Sequence, residues 1–304
     1  MTIAITGATG FVGQAVLDEA ARRGLSVKAL TRRDQDARQG VQWVRGDLHG
    51  SDALRELANG CDAMVHIAGV VNAPDRVGFI SGNVEGTANV IAAAGQGKVP
   101  RLICVSSLSA REPHLSDYGN SKREAEKLVE ESGLDWTIIR PPAIYGPRDT
   151  EMFELFRAAR MGVVPMPPKG SASVIHVDDL ARLLLDAACG NAQVWRGKTF
   201  EPDDDRAGGW PHSELAKAIG AAMGRKVRAP ALPTSILRLG ATLDGLLRGK
   251  KAKLTHDRVN YMIHPDWVSR QDWKVPKDLW QPQIDTPEGL RTAAQWYRDN
   301  RWMK

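Results

Sequence analysis

The sequence predicts an α/β fold in which a doubly wound parallel sheet is joined to a smaller, mixed C-terminal lobe. Short apolar runs alternate with helical patterns through the first half of the chain, as they do when helices connect parallel strands. A glycine-rich turn links the first apolar run to the first helical pattern, which is how many such sheets begin. We predict a first domain over residues 1–147, to which residues 171–190 add sheet and helix, and a second domain over residues 148–304.

The predicted strands are apolar runs that stop at glycine, serine, proline or charged residues. They cover residues 1–5, 26–30, 41–44, 63–67, 102–105, 136–139 and 174–177. Parallel strands present their carboxyl ends at one edge of the sheet, and ligands bind there. We therefore look for functional residues immediately after these strands.

The predicted helices are segments in which apolar residues recur at a spacing of three or four. The first begins near Val12 and ends near Gly24, and the second covers residues 51–58 with Ser51 as its N-cap. The others cover residues 84–94, 122–131, 152–161, 178–188, 213–223 and 287–298. The proline-rich segments 165–168 and 202–211 are predicted to be loops.

The first strand is followed by the turn Thr6-Gly7-Ala8-Thr9-Gly10-Phe11-Val12-Gly13, which indicates a dinucleotide-binding site. Gly7 permits a tight turn, Gly10 lets the backbone approach a pyrophosphate, and Gly13 lets the helix pack closely on the strand. The pyrophosphate would lie at the helix N-terminus, where unpaired N–H groups and the dipole favour an anion. The residues predicted to bind it are Gly7, Thr9, Gly10, Phe11, Val12 and Gly13.

The second strand ends in Thr31-Arg32-Arg33, where an NAD-binding protein usually has a carboxylate for the ribose 2′-hydroxyl. Thr31 is small and neutral, and two guanidinium groups follow it. Arginine side chains suit a 2′-phosphate, so Arg32 and Arg33 predict NADP (as NADPH) rather than NAD. Two solvated surface arginines are the alternative.

Tyr118 and Lys122 are four residues apart, so they share one face of a helix. A phenol is a weak acid at neutral pH, and a nearby ammonium group stabilises its phenolate. Ser107 follows the preceding strand and can donate to a substrate oxygen. We predict that Tyr118 moves a proton, that Lys122 assists it and binds the nicotinamide ribose, and that Ser107 polarises the substrate oxygen. Ser106 and Ser109 remain alternatives to Ser107.

Together these motifs resemble those of the short-chain dehydrogenase/reductase superfamily, in the extended or atypical branch that includes NAD(P)-dependent epimerases and dehydratases. The resemblance runs nearly end to end and implies a Rossmann-type sheet. It also implies that Asn83 supports Lys122 through water or backbone bonds. The further cofactor contacts that it implies are Asp47 and Leu48 at the adenine, Ala68 and Gly69 at the riboses, Asn83, Tyr118, Lys122, and Pro141 and Ile144 at the nicotinamide.

We predict an NADP-dependent oxidoreductase that transfers hydride between nicotinamide and a carbonyl or alcohol carbon of a small molecule. An NAD(P)-dependent epimerase or dehydratase acting on a sugar-nucleotide-like substrate is one alternative. Such enzymes usually have a longer insertion between the positions of Ser107 and Tyr118, which disfavours that substrate class. A redox sensor or assembly factor that binds NADP(H) without turnover is an alternative of another class, although such proteins often lack the Tyr–Lys pair.

Composition limits the partners. The net charge of +5 is modest. The sequence has no basic tract with interleaved aromatic residues, so we predict no nucleic-acid binding. The sequence has no uncharged apolar run of about 18 residues, so we predict no membrane span. The basic run Arg248, Lys250, Lys251 and Lys253 is interpreted as a solvated surface. We expect a monomer or a homodimer.

The three cysteines, Cys61, Cys104 and Cys189, are far apart in sequence. This spacing predicts buried free thiols and no metal site. The chain enters a strand at once, so we expect no secretory leader. We therefore predict a cytoplasmic enzyme.

Overall fold

The computed structural model describes residues 1–249 and 252–303. Of the predicted basic run, Lys250 and Lys251 lie outside the described residues. The strands are β1 (Thr2–Thr6), β2 (Ser26–Thr31), β3 (Val41–Arg45), β4 (Ala63–His66), β5 (Arg101–Val105), β6 (Asp135–Ile139), β7 (Ala143–Tyr145), β8 (Ser171–Ala172), β9 (Val174–His176), β10 (Lys198–Phe200), β11 (Trp210–Pro211) and β12 (Asp266–Trp267).

The α-helices begin and end as follows: α1 (Phe11–Arg22), α2 (Ser51–Ala58), α3 (Arg76–Phe79), α4 (Gly86–Gln96), α5 (Asp117–Glu130), α6 (Met152–Arg160), α7 (Val177–Cys189), α8 (Ala192–Trp195), α9 (His212–Ala222), α10 (Thr234–Arg248), α11 (His256–Met262) and α12 (Thr286–Asp299). A π-helical turn, Ile80–Glu85, joins α3 to α4. Short 3₁₀ helices cover Leu108–Arg111, Pro113–Leu115 and Gln271–Trp273.

The first compact unit comprises Met1–Arg140 and Leu180–Phe200. Its centre is a seven-stranded sheet of order β10-β6-β5-β4-β1-β2-β3. Each pair of neighbouring strands is parallel. The predicted doubly wound, Rossmann-type sheet is therefore confirmed. Strand order reverses beside β1, and this is the position at which such sheets bind ligands.

The sheet of the first unit is buried, as parallel sheets generally are. Leu54 and Leu57 of α2 and Val90 of α4 are almost fully buried in a cluster with Met64 of β4 and Leu102 of β5. Full burial of a side chain of this size contributes about 1.5–3 kcal/mol. This core supports the strand ends that carry the candidate site.

The second compact unit comprises Pro141–Asp179 and the described residues from Glu201 onwards. It contains a parallel pair, β7 with β9, and a mixed sheet of order β11-β8-β12. Its main core surrounds Tyr145, Phe156 and Tyr297. The smaller mixed lobe is thus present. The predicted assignment of residues 1–147 to cofactor binding and 148–304 to substrate binding stays a prediction.

Two local expectations were wrong. Ser51 is the first helical residue of α2, and the N-cap is Gly50, which has no side chain to bond the helix N-terminus. Cys189 is exposed at the end of α7, whereas Cys61 and Cys104 are buried. Burial raises the pKa of the Cys104 thiol to about 11, so this thiol stays protonated at neutral pH.

Candidate active site and cofactor site

The turn between β1 and α1 brings backbone segments closer than side chains would allow. Gly7 has φ +74°, and a Cβ there would lie 2.7 Å from the Ala68 nitrogen. A Cβ at Gly13 would lie only 2.1 Å from the Gly7 carbonyl oxygen. The Gly10 N–H donates to that same oxygen over 3.0 Å and closes the turn. Contact distances therefore require glycine at positions 7 and 13.

This turn fits a pyrophosphate. Thr9 and Gly10 are exposed, and Gly10 caps α1 without a side chain. Helix α1 begins at Phe11, and the N–H groups of its first turn, including those of Phe11 and Val12, have no acceptor within the helix. Such groups, with the helix dipole, bind phosphate oxygens. A dinucleotide would therefore be held here by backbone rather than by side chains.

The end of β2 carries the two predicted 2′-phosphate ligands. Thr31 is buried, and its hydroxyl donates to the Arg33 carbonyl oxygen over 2.7 Å and accepts from the Arg33 N–H over 3.3 Å. Arg32 and Arg33 are both exposed. The neighbouring carboxylate of Asp34 pairs with Arg45. The Thr31 hydroxyl thus fixes the turn from which the two arginines extend.

The predicted adenine segment follows β3. Asp47 is exposed, and its Oδ1 accepts from the N–H groups of His49 (2.8 Å) and Gly50 (3.1 Å). Leu48 packs on α4, since a Cβ at Gly86 would lie 2.7 Å from Leu48 Cδ1. The carboxylate is therefore held at the strand end by its own turn.

His66, at the end of β4, lies in a buried chain of hydrogen bonds. Its Nδ1 lies 2.7 Å from Thr6 Oγ1, and its Nε2 lies 3.0 Å from Thr87 Oγ1. The Thr87 hydroxyl donates to the Asn83 carbonyl oxygen over 2.6 Å, so it accepts from His66. This assigns the proton to Nε2 and makes Thr6 the donor to Nδ1. Burial, reinforced by the charge of Lys122, lowers the pKa of His66 to about 3.

Asn83 connects the segment after β4 to α5. Its Oδ1 accepts from the Val70 N–H over 2.7 Å, and its Nδ2 donates to the Val70 carbonyl oxygen over 2.9 Å. The same Nδ2 donates to Ser121 Oγ over 2.9 Å, and Ser121 in turn donates to the Tyr118 carbonyl oxygen. Asn83 lies in the π-helical turn, a geometry that often occurs at functional sites.

Tyr118 and Lys122 both belong to α5, whose N-cap is Ser116. Lys122 is buried, and its Nζ donates to the Val105 carbonyl oxygen at the end of β5 over 2.8 Å. A Cβ at Gly69 would lie 3.6 Å from this Nζ. Tyr118 is half-buried, with its ring 6.0 Å from that of Phe79. The ammonium group is therefore fixed beside the predicted ribose segment, Ala68 and Gly69.

The three candidate serines differ in exposure. Ser106 and Ser109 are buried, whereas Ser107 is half-buried. Ser107 Oγ accepts from the Ser109 N–H over 3.2 Å and from Ser109 Oγ over 3.0 Å. With two acceptor positions used, the Ser107 hydroxyl proton is left to donate. Ser109 thereby orients Ser107.

The remaining predicted contacts belong to the second unit. Pro141 is its first residue and is buried. Ile144 is half-buried in β7, where it pairs with Ile175 of β9. Their predicted contact with the nicotinamide stays a prediction.

Sequence reasoning missed three positioning residues: Thr6, Thr87 and Ser121. Each makes a hydrogen bond to a predicted site residue or to His66. Thr6 and Ser121 are parts of the glycine and Tyr–Lys motifs, so the motifs contained the signal. Thr87 is one helical turn after Asn83, which is a weaker signal.

Comparison with known proteins agrees with this geometry. Residues 7–188 match a family model described as NAD(P)H-binding. The chain is 35% identical to ceramide reductase of Caulobacter vibrioides, covering 99% of this chain and 96% of that protein. It is 30% identical to 2-alkyl-3-oxoalkanoate reductase of Stenotrophomonas maltophilia, covering 96% and 98%. The human epimerase family protein SDR39U1 (isoform 2), solved with NADPH, matches with a TM-score of 0.72 at 18% identity, covering 97% and 99%.

The parallel sheet with its glycine turn defines a Rossmann-type fold, and the reductase-named relatives make the chain, at the level of the family, an NAD(P)-dependent oxidoreductase. The chain belongs to the NAD(P)H-binding family that this model describes. The matched family binds NAD(P)H. Within the described ranges, no helix combines the length and apolar character needed to cross a bilayer.

Proposed function

We propose that this protein is an NADPH-dependent carbonyl reductase in which Tyr118 is the proton donor. The observation that carries the proposal is the fixed ammonium group of Lys122. Lys122 lies on the same helix as Tyr118. The 2.8 Å hydrogen bond from its Nζ to the Val105 carbonyl oxygen holds the ammonium group close to Gly69. A positive charge fixed one helical turn from a phenol favours transfer of the phenolic proton.

The proposed roles follow from what each side chain can donate. When bound, the nicotinamide supplies a hydride to the carbonyl carbon. Tyr118 gives its phenolic proton to the carbonyl oxygen, and Ser107 donates a hydrogen bond to the same oxygen and orients it. Lys122 stabilises the phenolate that remains and binds the ribose hydroxyls. Asn83 and Ser121 hold α5 in position for these contacts.

NADPH is the proposed cofactor because of the β2 end. Arg32 and Arg33 are exposed on a turn fixed by Thr31, and no carboxylate lies at the position where NAD-binding proteins usually have one. A 2′-phosphate would be neutralised by the two guanidinium groups.

The full-length relatives suggest the substrate class. Both are named as reductases of molecules with alkyl chains, ceramide in one case and 2-alkyl-3-oxoalkanoate in the other. We extend this to the chain and propose a ketone on an alkyl-chain substrate. A cytoplasmic location is part of the proposal, supported by three free cysteines.

The test is NADPH oxidation by purified protein, followed by nicotinamide absorbance with separate substrates. The panel contains a 2-alkyl-3-oxo acid, an oxo-ceramide and UDP-glucose. We expect turnover with one of the alkyl ketones and none with UDP-glucose. Conversion of the sugar nucleotide without net change in absorbance would favour the epimerase alternative. Tight NADPH binding without turnover of any carbonyl would favour the redox sensor.

A further inference from the structure

Helix α10 presents a row of large apolar side chains to solvent. The row follows the three- or four-residue spacing of one helix face and consists of Ile236, Leu239, Leu243, Leu246 and Leu247. Leu246 is 79% exposed and Leu247 is 85% exposed. Exposed apolar residues usually occur singly, whereas a contiguous group marks a surface that binds a protein, a ligand or a membrane.

The opposite face of α10 already has its partner within the chain. Leu237 and Ala241 are buried and pack in a small cluster with Val259 of α11. The exposed leucine row is therefore a second apolar face on the same helix, and the intramolecular packing of α10 does not use it.

The segment that contains α10 is the most cationic part of the molecule's C-terminal half. Residues 225–253 contain eight Lys or Arg and a single acidic residue, Asp244, so their formal charge of +7 exceeds the +5 of the whole chain. Asp244 is engaged within the segment: its Oδ2 accepts from the N–H groups of Lys253 and Leu254 over 2.8 and 2.9 Å, and its Oδ1 pairs with Arg248 over 3.2 Å. Arg238, Arg248 and Lys253 are exposed.

We infer that α10 docks on a bilayer that contains anionic lipids, with its leucine row among the acyl chains and its cations at the headgroups. A leucine-rich amphipathic helix with basic flanks lies in the interface and inserts its apolar face by about 5–10 Å. Anionic headgroups attract clustered Lys and Arg side chains. The charge of this segment thus matches the proposed occupant.

A second copy of the chain fits this face less well. Two copies would bring segments of the same positive charge together. The row has five large side chains on one helix, whereas a stable protein interface uses about 20–30 residues a side.

The inference goes beyond the proposed reaction and does not depend on it, since vesicle binding needs neither cofactor nor substrate. The two agree in one respect. An enzyme docked on a bilayer would meet an alkyl-chain substrate where such molecules accumulate.

Flotation of the full chain with lipid vesicles tests the inference. The wild-type protein should float with phosphatidylglycerol–phosphatidylethanolamine vesicles and remain unbound with phosphatidylcholine vesicles. The combined variant Leu243→Gln, Leu246→Gln, Leu247→Gln should reduce the bound fraction by at least ~10-fold, because its apolar face is removed. Met161→Gln, which replaces an apolar residue that is 86% exposed and lies outside α10, is the matched control and should change nothing.

Equal flotation of the wild type and the triple variant would overturn the inference, as would failure of the wild type to bind either vesicle. A wild-type dimer that becomes a monomer in the triple variant, without vesicle binding, would assign the row to a second copy. Should the triple variant fail to fold, Arg248→Glu with Lys253→Glu provides an independent test. It should lose binding to the anionic vesicles while keeping its NADPH affinity.

Discussion

The guanidinium of Arg140 donates two hydrogen bonds of 2.7 Å to the carboxylate of Glu126. Both side chains are buried, Glu126 completely. Arg140 follows β6, and Glu126 lies on α5 one helical turn after Lys122. The planar, bidentate geometry fixes direction as well as distance. This buried ion pair therefore holds the helix with the proposed catalytic residues against the end of the sheet.

Replacing Glu126 by Gln should destabilise the protein by about 3–5 kcal/mol, because the buried charge of Arg140 loses the carboxylate that accepts its two hydrogen bonds. Urea unfolding measures this. Glu130→Gln on the same helix is the control: Glu130 pairs with Arg123 in a more exposed position, and its loss should cost below about 1 kcal/mol. Equal effects of the two substitutions would mean that the buried pair is not important for stability.

Tyr118→Phe should lower kcat/KM by at least ~10²-fold while leaving NADPH affinity nearly unchanged, because only the proton donor is removed. Steady-state kinetics with an alkyl ketone and a fluorescence titration with NADPH measure the two quantities. Retained turnover would remove Tyr118 from the mechanism. A parallel loss of NADPH affinity would indicate a binding role instead.

Arg32→Ala combined with Arg33→Ala should weaken NADPH binding by about 1.5–3 kcal/mol, as expected for lost hydrogen bonds to a charged phosphate, and should spare NADH. Titrations with each cofactor measure the difference. Arg22→Ala is a matched control, since Arg22 is an exposed arginine on α1. If NADH affinity falls as much as NADPH affinity, the two arginines do not recognise the 2′-phosphate.

His66 should make the protein sensitive to acid. Its pKa is lowered to about 3 in the folded state, against about 6.5 in an unfolded chain. Its contribution to stability is therefore complete above about pH 6.5 and is lost as the pH falls towards 3, because the unfolded state then binds the proton more readily. Denaturant unfolding at several pH values should show this decline, and His66→Gln should reduce its slope. An unchanged slope would argue against a neutral His66 between Thr6 and Thr87.

Gly13→Ala should shift α1 away from β1 and weaken NADPH binding, because the new Cβ would lie 2.1 Å from the Gly7 carbonyl oxygen. Overpacking of this kind costs about 1–3 kcal/mol or more. Gly95→Ala, within α4, is the control: nothing lies within 4 Å of its Cβ, and a helical alanine should stabilise by up to about 1 kcal/mol. Thermal unfolding and NADPH titration distinguish the two.

The sequence predicted the fold well where local pattern and tertiary packing agree. The predicted limits of the early strands and of α2 differ from the observed ones by about one residue. The agreement is close because a strand is buried only within the sheet, so its run of apolar residues ends where the strand leaves the sheet. The sequence predicts a helix from residue 84, but helical structure begins earlier, with α3 at Arg76. Asn83 lies in the π-helical turn between α3 and α4, and a π-helical turn does not follow a 3.6-residue periodicity.

Other features could not be predicted because tertiary contacts determine them. β10 has three residues and pairs with β6 only after a long excursion of the chain. Helix α10 has leucines on its exposed face as well as on its buried face, so its apolar residues do not mark a single core-facing side. The choice among Ser106, Ser107 and Ser109 depends on burial, which three neighbouring serines do not reveal. The hydrogen bonds of Asn83 to Val70 and Ser121 depend on three segments meeting in space.

The late position of β10 affects synthesis of the chain. The ribosome completes β6 well before it reaches Lys198, since Pro141–Asp179 and α7 are made in between. At about 5–20 residues per second, the nascent sheet waits for its last strand for on the order of several seconds. During that time the outer edge of β6 is an unpaired template on which another nascent chain can add a strand. The speed of translation through this excursion, and any chaperone that covers the edge meanwhile, thus become part of how the sheet is completed.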